Sequence, residues 1–79
     1  MLRIVDKRVM KRDPTLFRVE LLDTDRMNVN SINNWCESQK ILTGYLKFTM
    51  FNGEVTVVCT EAQLSMILLK FSHKETVDI

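Results

Sequence analysis

Little in this 79-residue sequence signals a specialised architecture. It holds two glycines and one proline, too few for a linker, a collagen-like repeat or a low-complexity segment. Its two cysteines, Cys36 and Cys59, form no CxxC pair and allow one bridge at most, which excludes a disulfide-dense scaffold. They are expected to be reduced, buried thiols of a cytoplasmic protein. His73 is the only histidine, so a zinc site with about four soft ligands is not available. No unbroken apolar run exceeds Met66–Leu69, far short of the ~20 residues that span a bilayer. Near the start, Arg3, Asp6, Lys7 and Arg8 interrupt any signal-like apolar stretch. An excess of one charge is also missing: the net charge is +1. Bulk electrostatics therefore gives no reason to expect a membrane or nucleic-acid partner. Length leaves room for one domain, which excludes a multidomain enzyme.

What is present is an ordinary folding composition, 46% apolar and 27% charged. Two alternating runs, Tyr45–Phe51 and Glu54–Cys59, flank Asn52-Gly53, the strongest short-range signal for a two-residue hairpin turn. That turn would set Phe48 opposite Val57 and Leu46 opposite Cys59. Leu46, Phe48, Met50, Val55, Val57 and Cys59 would then share one apolar face. Thr60-Glu61-Ala62-Gln63 reads as a capping box opening a helix to about Phe71, with Leu64, Ile67, Leu68 and Phe71 on one stripe. In the first half, Leu2–Met10 and Leu16–Leu22 read as strands around an Asp13-Pro14-Thr15 turn. Adjacent Ile4 and Val5 break the alternation and allow a bulge. A helix capped by Asn28 and ending near Ile41 would bury Val29, Ile32, Cys36 and Gln39, with Trp35 beside them. The expected fold is α+β, of order ββαββα: an antiparallel sheet of two hairpins with both helices packed on one face. Residues 1–72 would form the domain and 73–79 a C-terminal tail.

No group of residues suggests catalysis. His73 lies past the last helix, away from either cysteine, and the isolated Gly44 and Gly53 make no phosphate loop. Asp23 and Asp25 are expected as turn and cap residues rather than an acid pair. The chain is therefore expected to be no enzyme, with no cofactor and no metal. Charge and apolar content are, however, unevenly distributed. Residues 1–18 hold six basic and two acidic side chains, a net +4; residues 19–79 hold five basic and eight acidic, a net −3. Lys7, Arg8, Lys11, Arg12 and Arg18 thus form a basic hairpin. It suits docking on an acidic protein surface, contact with nucleic-acid phosphates, or plain protection of an edge strand. The last helix carries Ala62, Met66 and Leu69 opposite its core stripe, suited to a partner or a second copy. Trp35, Tyr45 and Phe51 are further candidate anchors, because aromatics are enriched at interfaces.

In size, and in having neither catalytic constellation nor cofactor motif, the chain is similar to small phage-encoded or mobile-element regulators, anti-CRISPR inhibitors among them. That resemblance implies action by occupying a surface of a larger protein. The expectation is a cytoplasmic protein-binding regulator or inhibitor, with a homodimer also in view. The alternative is a small nucleic-acid-binding regulator that uses the basic hairpin.

Overall fold

Local chemistry builds each half of the chain. In the first, the Asp13 carboxylate accepts from the Thr15 amide and hydroxyl at 3.1 and 2.6 Å, and the Leu16 amide donates to the Asp13 carbonyl at 2.9 Å. Pro14 thus sits second in the turn, where its fixed φ fits. The turn joins β1 (Arg3–Val9) to β2 (Phe17–Asp23), paired antiparallel with a register shift at Val5 between Ile4 and Asp6. This is the irregularity that the adjacent apolar pair predicts. The computed structural model describes residues 1–71; the predicted tail and His73 lie outside the described residues.

The helix α1 (Arg26–Ser38) starts one turn earlier than expected. Its cap is Asp25, not Asn28, with the Asp25 carboxylate accepting from the Met27 and Asn28 amides at 3.0 and 3.3 Å. Asn28 is otherwise engaged: its side-chain amide donates to Asp23 at 2.7 Å and to the Phe71 carbonyl at 2.9 Å. The helix also ends earlier, before Ile41. Lys40 takes a left-handed φ of 60°. The Ile41 amide returns to the Cys36 carbonyl and the Lys40 amide to that of Glu37, which is a Schellman closure. Val29, Ile32 and Cys36 are buried as expected, whereas Gln39 is exposed.

The second hairpin pairs β3 (Leu42–Phe48) with β4 (Gly53–Cys59), four residues out of the predicted register. Phe48 lies opposite Gly53 and Leu46 opposite Val55. The predicted two-residue turn gives way to a four-residue one held by Thr49. Its hydroxyl accepts from the Phe51 and Asn52 amides at 3.2 and 3.0 Å, and its amide donates to the Asn52 carbonyl at 2.8 Å. No glycine has positive φ. Gly53 instead serves close packing, because a Cβ there would meet the Phe48 ring at 3.0 Å and Val29 at 3.1 Å. An even slip preserves the faces. Val55, Val57 and Cys59 therefore stay in the core, but Leu46 and Phe48 remain partly exposed and Met50 sits fully outside in the turn. A second shift sets Gly44 and Tyr45 together opposite Thr56 and brings Ile41 into the core.

The helix α2 (Glu61–Phe71) opens with the predicted capping box. The Thr60 amide donates to the Gln63 side-chain oxygen at 2.9 Å, and the Gln63 amide to the Thr60 hydroxyl at 3.2 Å. Thr60→Ala is expected to lower stability by about 1 kcal/mol, measured as a shift in urea midpoint at unchanged slope.

Strand order is β1-β2-β4-β3, all antiparallel, so the two hairpins meet along β2 and β4. The core joins Val19 and Leu21 of β2, Val55, Val57 and Cys59 of β4, Val29, Ile32 and Cys36 of α1, and Leu64 and Ile67 of α2. Both helices thus lie on one face, and the protein is of the α+β class.

Candidate functional site

The sheet places the five predicted cations on one hairpin but pairs three of them. Lys7, on the helix side of β1, reaches both carboxylate oxygens of Glu61 at 2.9 and 3.0 Å and lies 4.7 Å from the Phe17 ring centroid. Arg8 pairs with Asp6 at 2.8 Å and Arg18 with Glu20 at 3.0 Å. Such surface pairs contribute only about 0–1 kcal/mol. They do, however, neutralise three of the five charges where they stand. Lys11 and Arg12, in the loop beyond the strands, have no ion pair among the described residues.

The predicted apolar candidates separate into three places. On α2, the stripe of Leu64 and Ile67 faces the core with Leu68 and Phe71 half-buried beside it, while Met66 and Leu69 are 52% and 78% exposed. The apolar surplus of this helix is thus outside, not absorbed by α1. Trp35 is half-buried instead, packed on the core with its ring edge-on to Phe71 at 6.0 Å. Its ring is engaged in holding the two helices together. Tyr45 lies on the sheet face away from the helices, and Phe51 stands exposed in the Thr49–Asn52 turn.

The sequence reading missed the surroundings of Phe51. Met50 beside it is equally exposed, and Arg26 ties α1 to this turn by donating to the Thr49 carbonyl at 3.1 Å. Arg26, Met27, Asn30 and Phe48 line an open depression next to it. Two large apolar residues at a hairpin tip, where polar residues usually stand, were the available signal. A two-residue turn hides that signal, because it sets Met50 on the core face.

Neither cysteine stands as an activated nucleophile. Cys36 and Cys59 are free and buried. Burial, and secondarily the nearby Cys59, pushes the Cys36 thiol up to about 11. Burial, then the charge of Glu61, raises Cys59. Both are protonated and shielded at neutral pH, the opposite of an activated thiolate. Among the described residues no three His, Cys, Asp or Glu side chains group to hold a metal ion. No helix among them is long and apolar enough to cross a membrane. Asp23, the one buried carboxylate among the described residues, is spent on structure. It accepts from the Met1 ammonium at 2.8 Å, the Asp25 amide at 2.9 Å and Asn28 at 2.7 Å. No protein-family model, curated protein or solved structure matches this chain.

Proposed function

We propose that this chain is a non-enzymatic protein-binding module, a small regulator or inhibitor that acts by occupying a surface of a larger protein. One observation carries the reading: the outer row of α2, Ala62, Met66 and Leu69, is apolar and exposed on a helix whose inner row already fills the core. A helix apolar on two sides is ordinarily covered on both. Methionine suits such a surface because its flexible thioether adapts to a partner's shape. Lys11 and Arg12 would steer the approach to an acidic partner. Among the described residues the basic hairpin keeps Arg3, Lys11 and Arg12 without an ion pair, a small set for the phosphate-binding alternative, since affinity for nucleic acid follows the number of phosphates neutralised.

The test is affinity capture from the native source, with and without nuclease, using the wild-type chain, Leu69→Lys and Met66→Lys. Leu69→Lys should leave the circular dichroism spectrum unchanged and weaken capture of a protein partner about tenfold or more, nuclease having no effect. Material released by nuclease, and lost with Lys11→Glu plus Arg12→Glu, would establish the nucleic-acid reading instead. Unfolding of Met66→Lys would make the row structural.

A further inference from the structure

The first residue is fastened by its own nitrogen. The Met1 ammonium donates to the Asp23 carboxylate at 2.8 Å and to the Thr24 hydroxyl at 3.0 Å. The Asp23 side chain is 1% exposed, and this is its one ion pair among the described residues. The same carboxylate binds the Asp25 amide and Asn28, and Asn28 binds the Phe71 carbonyl. One ammonium thus connects Met1, the junction of β2 with α1, and the end of α2. Leu2, next along, is buried in the core, although ladder pairing begins only at Arg3. The strand β1 lies at the sheet edge, held by β2 alone and irregular at Val5. The contact at Met1 therefore helps to seat Leu2. Met1 is nevertheless 77% exposed, so reagents in solvent reach this end of the fold.

We propose that the Met1 nitrogen is a modification site, and that its acylation by an acyl thioester loosens this end of the fold. The nitrogen attacks the acyl carbonyl carbon, an N–C bond forms and the C–S bond breaks. The ammonium gives up two protons, one to water and one to the departing thiolate, leaving an amide and a thiol. An ammonium offers a full charge and three donors, two of which stand on separate oxygens here. An amide offers no charge and one donor, so it serves Asp23 or Thr24 and not both. A nearly buried carboxylate is then left without its cation, a far costlier loss than that of a solvated surface pair. Any residue joined to this nitrogen makes the same amide and has the same effect. The loss reaches Leu2 and the first residues of β1 before the central strands β2 and β4, which are each paired on both sides. The inference does not depend on the α2 reading, which uses Met66 and Leu69.

Urea denaturation of the full chain tests it, with the Met1 nitrogen free, acetylated or dimethylated and the lysines unmodified. Acetylation should lower the folded-to-unfolded ratio about fivefold or more, read as a lower midpoint at unchanged slope. In Asp23→Asn, where no carboxylate awaits the ammonium, acetylation should change that ratio by less than about twofold. A dimethylated nitrogen keeps its charge and one donor, and should stay closer to the free amine than to the acetylated chain. That comparison needs no substitution, so it decides the matter even where Asp23→Asn fails to fold. Hydrogen exchange of the acetylated chain should rise more at the start of β1 than in β4. Equal midpoints for the free and acetylated chains overturn the proposal. So does an acetylation effect of the same size in Asp23→Asn, or one that dimethylation reproduces in full.

Discussion

Asp23→Ala is expected to lower unfolding free energy by about 2–4 kcal/mol, a large fraction of the 5–15 kcal/mol typical of a domain. The Asp23 side chain is 1% exposed and closes the junction of β2 with α1. Its removal leaves a void and takes acceptors from the Asp25 amide and from Asn28. The loss stays short of the largest known values for two reasons. The Met1 ammonium keeps its bond to the Thr24 hydroxyl at 3.0 Å, and Asn28 keeps its bond to the Phe71 carbonyl. Burial pushes the Asp23 carboxyl up. The Asp25 amide, the N-terminal ammonium and Asn28 together outweigh that and hold it below its ordinary 3.8. A depressed carboxyl pKa contributes stability that is complete above the unfolded value and is lost as pH falls through the folded one. Urea melts should therefore show wild-type stability falling below about pH 4, and Asp23→Asn should fall less steeply over the same window. Asp13, lowered by the Thr15 hydroxyl and then by its amide, adds to the acid slope of both proteins and cancels in the comparison. Equal acid slopes in the two would show that the Asp23 contacts do not form.

The next largest effect separates the two sides of α2. Ile67 is fully buried in the core formed with β2, β4 and α1, and Ile67→Ala is expected to cost about 2–5 kcal/mol through lost burial and the cavity left behind. Leu69→Ala, two residues on, removes a larger exposed surface and should change stability by no more than about 0.5 kcal/mol. Chemical denaturation of the pair checks this without any partner in hand. If both cost several kcal/mol, the outer row is packed in solution and the interface on α2 has to be abandoned.

The parts of the fold legible in the sequence are those that adjacent residues decide alone. Thr60 and Gln63 satisfy each other's amides within one turn, and Asp13, Pro14 and Thr15 close their own bend. The outward row of α2 was legible for a similar reason: helical spacing separates Met66 and Leu69 from the core stripe whatever lies around them. Where the reading failed, a distant contact chose between local options. Asp25 and Asn28 are both good caps, and the choice falls to Asp25 because Asn28 is drawn to Phe71, far along the chain. Asn52-Gly53 is a strong turn signal, but Gly53 is taken into the sheet by the approach of Phe48 and Val29. Lys40 gives no compositional hint of its left-handed conformation, which the burial of Ile41 imposes. The basic hairpin was correctly located by counting charges. Its partial neutralisation was not, because the partner of Lys7 is Glu61 on the far element α2.

The seam between β2 and β4 has a kinetic meaning. Each hairpin and the helix after it can collapse locally, but neither half closes a core, because the central pair of strands is drawn from both. Bringing that pair together means closing a loop that contains all of α1 and β3, an entropic cost met before any central contact forms. Refolding should thus be governed by one docking event between the halves. Mutations within either hairpin turn would then change how fast the chain folds less than mutations along the seam.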